Sequence, residues 1–186
     1  MLDVAREPRW SRMEETFGED PWLTSVLGTA VVRGMQGDNS ADKQHVICTL
    51  KHLAAYGVPE GGHNGGPVYA GERLLRSQLL LPFEKAVKAG AGTVMTSYNS
   101  IDGIPCTSNR HLLTDMLRGE WGFNGFVYSD LLSVDGIAGM GAAANNKEAA
   151  VLALKAGLDM DLGGGAFGKN LKKALDEGLI TMADLD

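Results

Sequence analysis

An aspartate ends a short apolar run in the C-terminal third of the chain. Residues 126–129 (Phe-Val-Tyr-Ser) have the apolar and aromatic character of a strand buried in a parallel sheet, and Asp130 follows directly. A carboxylate at the carboxyl end of such a strand faces the mouth of an α/β barrel, where active sites are usually built. It can attack a substrate, bind one, or cap the following helix. Asp130 is therefore the first candidate for chemistry, with these three roles open.

Polar side chains also stand at the ends of the other predicted strands. Each has an ordinary structural interpretation: a solvated cation, a core imidazole with satisfied hydrogen bonds, or a strand aromatic. Together they carry more weight, because an active site at one face of a barrel is built from several strand ends at once. The residues are Arg9, Arg12, Lys51, His52, Met95, Tyr98, Asp159 and Asp161.

The residue types at these strand ends restrict the reaction. Arginine, lysine, histidine and tyrosine beside one or two carboxylates suit recognition of a neutral polyol through charge-assisted hydrogen bonds. Cleavage of a glycosidic bond needs two carboxyl groups, one as nucleophile or base and one as acid. Positive neighbours lower a carboxyl pKa, so an aspartate flanked by arginine and lysine stays ionised, as a nucleophile must. A Schiff-base aldolase with Lys51 as its amine is a rival chemistry.

Alternating strand-like and helix-like segments must position these side chains. Strands are predicted at residues 1–4, 46–50, 93–98, 126–129 and 158–161, and helices at 22–35, 72–89, 109–121, 147–156 and 168–177. This alternation predicts an α/β fold with a parallel sheet and right-handed crossovers. The spacing is typical of a (β/α)8 TIM-barrel-like fold, but only about five units are present where eight close a barrel, so the barrel is partial. A doubly wound sheet is less favoured, because Gly163–Gly164–Gly165 does not form a dinucleotide-binding turn.

Helix boundaries are also readable. Asp20 before Pro21 predicts a capped helix start, and Ser108 or Asn109 can cap the third helix. Pro82 lies inside the second predicted helix and should kink or divide it.

Composition excludes several classes of protein. The 186 residues carry a formal net charge of -6, which argues against a nucleic-acid or anionic-membrane partner. Cys48 and Cys106 are too few and too far apart for a disulfide framework or metal cluster, so no metal or cofactor is expected. No apolar stretch approaches the roughly 20 residues needed to cross a bilayer. No signal peptide opens the chain, but residues 1–4 already read like a strand end, so localisation stays open.

Several segments resemble one enzyme family. Residues 2–21, LDVAREPRWSRMEETFGEDP, are similar to the DVARDPRWGR-x-EE-x-FGEDP signature of glycoside hydrolase family three, the β-glucosidase and β-xylosidase family. Further similar segments are KHLAAYG (51–57), MTSYN with DGIP (95–105), LLTD with LRGEWGF (112–123), and the strand that ends at Asp130. The match follows the family's order through nearly the whole chain.

The resemblance implies specific roles. Asp130 matches the nucleophile that forms a covalent glycosyl intermediate with net retention. Sugar hydroxyls in the -1 subsite would be bound by Arg12, Lys51 and His52, and the pocket wall would be formed by Met95 and Tyr98.

The resemblance also implies that parts of the enzyme lie outside this chain. Residues 1–186 would belong to the N-terminal catalytic barrel domain, with its first strands before Met1 and an acid/base glutamate on a second domain beyond Asp186. A missing domain or second chain would then complete the barrel for an oligosaccharide or β-glycoside substrate. A secreted or periplasmic location fits the family. A truncated barrel that is inert, or that only binds carbohydrate, is the alternative.

Some positions depart from the family's pattern. Ser11 stands where glycine is usual, and Leu131 replaces the tryptophan or histidine often found after the nucleophile. One branch of the family uses a histidine–aspartate acid/base pair on the loop after the Lys-His strand. His63 lies on that loop without an aspartate, and Glu60 and Glu72 are weaker substitutes.

Overall fold

The computed structural model describes residues 1–37 and 43–185, in which strands and helices alternate as predicted. The α-helices are α1 (Pro21–Gln36), α2 (Glu72–Leu74), α3 (Leu81–Lys88), α4 (Ser133–Gly139), α5 (Asn146–Ala156) and α6 (Ala166–Asp176). The strands are β1 (Thr49–Leu53), β2 (Thr93–Thr96), β3 (Ser100–Ile101), β4 (Ile104–Pro105) and β5 (Phe126–Tyr128). π-Helical segments span Leu75–Leu79 and His111–Glu120, and 3-10 turns span Met13–Glu15, Glu60–Gly62, Cys106–Ser108 and Met182–Asp184.

The main sheet is parallel and follows chain order. β2 lies between β1 and β5, with Thr49 beside Thr93 and Val94 beside Val127. Beyond β1, the Leu2 N–H donates to the Lys51 carbonyl over 2.7 Å, and beyond β5, Met160 forms a parallel bridge to Tyr128. Neighbouring strands joined through helices, in sequential order, are the arrangement of a partial α/β barrel. The predicted fold class is confirmed.

The two faces of the sheet differ in burial. Leu50, Val94 and Val127 are fully buried in the core that the helices cover. Their neighbours on the opposite face, including Thr93 and Tyr128, are only half-buried, and hydroxyl contacts connect them: Thr49 Oγ1 lies 2.6 Å from Thr93 Oγ1 and 2.8 Å from the Tyr128 hydroxyl. The half-buried face is the barrel interior.

The predicted helix starts agree with the structure. The Leu23 N–H donates to Asp20 Oδ1 over 2.8 Å, and the Leu112 N–H donates to Asn109 Oδ1 over 3.1 Å. The predicted helix 72–89 is divided, because α3 begins afresh at Leu81 with Pro82 in its first turn. None of the helices among residues 1–37 and 43–185 combines the length and apolar character needed to cross a membrane.

Other expectations need correction. Residues 1–4 and 158–161 join the sheet through isolated contacts and do not form regular strands. The predicted strand 46–50 begins later, at Thr49. The third predicted helix is π-helical, with the Trp121 N–H donating to the Met116 carbonyl over 2.9 Å.

A glycine before β5 permits a close approach between backbones. A Cβ on Gly125 would clash with the Gly92 carbonyl oxygen. This oxygen belongs to the backbone directly before β2, so it cannot move away without shifting the strand. We expect Gly125→Ala to lower the free energy of unfolding by about 1–3 kcal/mol, as overpacking does. Urea unfolding measures this. Gly136→Ala in α4 is the matched control, because nothing lies within 4 Å of its added Cβ. Equal effects of the two substitutions would contradict the steric argument.

Candidate active site

The carboxyl ends of the strands bring together four of the predicted residues. His52 comes from β1, Tyr98 follows β2, Asp130 follows β5, and Arg12 lies on the loop before α1. His52 is central: its Nε2 lies 3.3 Å from Asp130 Oδ2 and 3.4 Å from Arg12 Nη1. Side chains that are far apart in sequence thus meet at one edge of the sheet.

Asp130 is a buried carboxylate held on both oxygens. The Leu131 N–H donates to Oδ1 over 2.7 Å, while Oδ2 faces His52. Burial by itself raises the pKa of Asp130, but hydrogen bonds from His52, Leu131 and Tyr98, with the charge on His52, outweigh it and hold this pKa below its usual value. Asp130 is therefore ionised at neutral pH, the state a nucleophile requires.

His52 is buried between two carboxylates. Its Nδ1 lies 3.1 Å from Asp3 Oδ2, and its backbone N–H donates to the same oxygen over 3.0 Å. Burial lowers the pKa of His52, but hydrogen bonds to Asp130 and Asp3 outweigh it, and the net pKa is raised. The sequence interpretation missed Asp3. The available signal was an acid within an apolar run, between Leu2 and Val4.

Arg12 is fixed by a carboxylate and an aromatic ring. Its Nε and Nη2 donate to the Glu15 oxygens over 2.7 and 2.9 Å, and its guanidinium carbon lies 5.5 Å from the Tyr56 ring centroid. The hydrogen bond to Glu15 raises the pKa of Arg12 further. Tyr56 packs edge-on against His52 and Trp10, at centroid distances of 4.8 and 5.1 Å. These contacts hold one side of the site rigid.

Tyr98 lies on the other side of Asp130. Burial, and after it hydrogen bonding to Asp130, raises the pKa of Tyr98 to about 12. The phenol therefore stays neutral and remains a hydrogen-bond donor at physiological pH. Its ring lies 6.0 Å from that of Tyr56.

Lys51 and Met95 lie on adjacent strands and are half-buried on the interior face of the sheet. Both stand near site residues in sequence, Lys51 directly before His52 and Met95 three residues before Tyr98. The sheet thus directs them towards the barrel interior beside the cluster formed by His52 and Asp130.

Two other predicted strand-end residues serve the fold. Asp159 pairs with Arg118 and accepts the Val127 N–H, each over 2.7 Å. Arg9 pairs with Glu7 over 2.8 Å and is exposed. Neither lies in the cluster around Asp130.

Two positions that depart from the family's pattern, Ser11 and Leu131, can be described by their backbone conformation and contacts. Ser11 is not among the described non-glycine residues with a left-handed φ, so the loop that carries Arg12 does not need glycine there. Leu131 is 51% exposed and lies against Gly163, at the rim of the site.

The loop candidates for an acid/base are dispersed. His63 and Glu60 are exposed to solvent. Glu72 pairs with Arg76, and that hydrogen bond lowers the pKa of Glu72, which keeps it ionised and unsuited to donate a proton. Within the part of the chain that the structure describes, no group of three or more His, Cys, Asp or Glu side chains is arranged to hold a metal ion.

The sequence of this chain is similar to those of known proteins along its whole length. The whole chain, residues 1–186, matches the family model described as the glycosyl hydrolase family 3 N terminal domain. A periplasmic beta-glucosidase of Salmonella typhimurium is 42% identical over 186 residues, covering 100% of this chain and 24% of the relative. A beta-xylosidase of Formosa agariphila is 47% identical over 178 residues, covering 93% of this chain and 24% of the relative.

A solved structure is similar throughout the chain. The crystal structure of a beta-glucosidase from Listeria innocua in complex with glucose has a TM-score of 0.97 at 40% identity, covering 100% of this chain and 26% of that one. The chain thus spans about a quarter of the length of these proteins.

Proposed function

The chain belongs to glycosyl hydrolase family 3, and we propose that it carries the nucleophile and part of the -1 subsite of a retaining β-glycosidase. One observation supports this most strongly: Asp130 is a buried, ionised carboxylate at a strand end, held by His52, Tyr98 and the Leu131 amide. A buried carboxylate whose lowered pKa is set by neighbouring donors is suited to attack, and unsuited to protonate a leaving group.

In the proposed mechanism Asp130 attacks the anomeric carbon of the sugar. A bond forms between a carboxylate oxygen and that carbon as the glycosidic bond breaks, and an acid on the opposite side protonates the departing oxygen. That acid would come from a part of the full-length protein outside this chain, about 5–5.5 Å from Asp130, the carboxyl separation of retaining enzymes. In the second step the same acid, now deprotonated, takes a proton from water, whose oxygen attacks the anomeric carbon; the bond from that carbon to Asp130 breaks, which releases the sugar and regenerates the carboxylate.

The neighbouring residues are proposed to hold the sugar. Arg12 and Lys51 carry N–H groups, which suit sugar hydroxyls in the -1 subsite, and His52, whose buried ring faces Asp3 and Asp130, is proposed to act there by holding Asp130. Arg12 is already oriented by Glu15, so less conformational entropy is lost when it binds. Met95 and Tyr98 form the pocket wall beside Asp130.

The substrates follow from the relatives' names. Those relatives are named beta-glucosidases and beta-xylosidases, which supports cleavage of terminal β-linked sugars. Residues 1–186 are proposed to be part of an N-terminal barrel domain within a longer protein, and the relative named periplasmic supports a location outside the cytoplasm. Lys51 is proposed as a sugar ligand in place of the Schiff-base role, because the relatives are named glycosidases.

Stereochemistry tests the proposal. We expect the natural full-length protein to hydrolyse 4-nitrophenyl β-D-glucoside or β-D-xyloside with release of the β-anomer first, because two displacements at the anomeric carbon restore its configuration. Proton NMR during the first minutes of hydrolysis distinguishes the anomers. The α-glucoside is the control substrate and should be inert. Initial release of the α-anomer, or no turnover of either β-glycoside, would overturn the proposal.

A further inference from the structure

We propose that Asp3 is a positioning residue that keeps the His52 imidazole doubly protonated and directed at Asp130. The inference rests on the proposed function, since it assigns a role beside the proposed nucleophile. Asp3 lies within the DVAR segment, but the resemblance was not used to give it a role.

The geometry fixes the ring of His52. A single oxygen, Asp3 Oδ2, contacts both the backbone N–H and Nδ1 of His52, at 3.0 and 3.1 Å. Holding the backbone and the ring through one atom restricts rotation of the side chain. In this orientation Nε2 lies 3.3 Å from Asp130 Oδ2.

The chemistry of the partners fixes the protons. Ionised carboxylate oxygens only accept hydrogen bonds, and each ring nitrogen of His52 faces one. Both nitrogens must therefore carry a proton for both contacts to be favourable. In a neutral ring with its proton on Nδ1, the Nε2 lone pair would accept from Arg12, 3.4 Å away, and would repel Asp130.

Burial of Asp3 favours the charged ring. The Asp3 side chain is fully buried, and its second oxygen, Oδ1, has no hydrogen-bond partner among the described residues. A buried carboxylate needs a counter-charge, because an unpaired ion inside a protein is strongly destabilising. The cation in direct contact with Asp3 is His52. Other titratable groups around the pair are Arg12, Glu15, Lys51, Tyr56, Asp130 and the amino group of Met1.

A charged His52 matters for Asp130. An imidazolium donates a charge-assisted hydrogen bond to the carboxylate and keeps it ionised and oriented. Without Asp3 the ring would lose one of two negative neighbours and would release its proton at lower pH. Asp3 would thus act on the reaction through His52.

The direct test uses the natural full-length protein labelled with 15N-histidine. We expect His52, assigned by loss of its signals in His52→Gln, to titrate above the ordinary histidine pKa of about 6.5, with both ring nitrogens protonated at neutral pH. A neutral His52 at pH 7 in the unsubstituted protein would overturn the proposal, and this measurement does not depend on activity.

The variant Asp3→Asn separates charge from geometry. Its amide oxygen still accepts from the backbone N–H and Nδ1, but the negative charge is lost. We expect the pKa of His52 to fall and kcat to drop by about 10-fold or more. The high-pH limb of the pH profile should move towards acid, because activity needs the protonated ring. Asp115→Asn, an exposed matched control, should change neither the His52 titration nor the profile.

These outcomes separate a positioning role from a structural one. A folded Asp3→Asn protein with an unchanged His52 titration and pH profile would mean that Asp3 only tethers the backbone. Labelling of Asp130 by a fluoro-sugar in the unsubstituted protein tests the nucleophile and does not involve an Asp3 variant. The proposed nucleophile can therefore fail or survive separately from this inference. If Asp3→Asn does not fold, the titration of the unsubstituted protein still decides.

Discussion

Replacing Asp130 with alanine should abolish turnover in the natural full-length protein, with kcat reduced by at least about 10³-fold. The reason is that the covalent step needs a carboxylate, and the variant leaves only sugar binding and the separate acid. KM should change little if Arg12 and Lys51 hold the sugar in the ground state. Asp176→Ala, which removes an exposed carboxylate from α6, is the matched control and should keep full activity.

Two measurements connect this loss to the nucleophile. A slow 2-deoxy-2-fluoro glycoside should label Asp130, because the fluorine slows hydrolysis of the intermediate and lets it accumulate. Peptide mass spectrometry locates the label. In Asp130→Ala, added azide should restore turnover and yield a glycosyl azide of inverted configuration, since the small anion fits the vacated carboxylate position. A label on a different carboxylate, or an active alanine variant, would rule out Asp130.

The sequence was sufficient to find the strands that carry the site. The apolar run before Asp130 marks the end of β5, whereas the Lys51-His52 pair, predicted to follow a strand, lies within β1; parallel strands in chain order bring these residues together. Asp3 was missed because its importance depends on one tertiary contact with a residue 49 positions away. Periodicity along a chain carries no information on such a contact.

The prediction of helices from the sequence has the same limit. Long amphipathic segments such as α1 and α5 were predicted within a residue or two, because a repeated apolar pattern marks them. The short helix α4 was not predicted: it begins after Leu132, which has a left-handed φ of 63° and provides no side-chain cap. Its seven residues, with two glycines, provide too little periodicity to detect.

The outward face of α1 predicts how this chain behaves alone. Apolar side chains surround the outward half of the helix and are exposed, with Trp22 at 64%, Val26 at 50%, Leu23 at 48%, Leu27 at 38% and Val31 at 45%. Apart from Val32, the buried positions of the same helix are small or polar: Thr24, Ser25, Gly28 and Gln36. A soluble monomer rarely exposes so continuous an apolar surface, and such patches mark contacts with another segment or chain.

We therefore expect residues 1–186, expressed alone, to self-associate and to show negligible hydrolysis of aryl β-glycosides. Association should persist in high salt, because burial of apolar surface, and not ion pairing, would cause it. Light scattering coupled to size-exclusion chromatography, over a range of concentrations, measures this. Val31→Glu should shift the chain towards monomer by placing a charge on the exposed face of α1.

Lys172→Gln is the matched control for charge, since it also lowers the net charge by one, on the exposed surface of α6, and it should leave association unchanged. The expected inactivity has a separate cause: among the described residues the parallel sheet has three strands and does not close a barrel, and the acid partner proposed for Asp130 lies outside residues 1–186. Restoring a monomer through Val31→Glu should therefore not restore hydrolysis. A monodisperse monomer with full activity on an aryl glycoside would contradict both arguments, since the acid would then have to lie within residues 1–186.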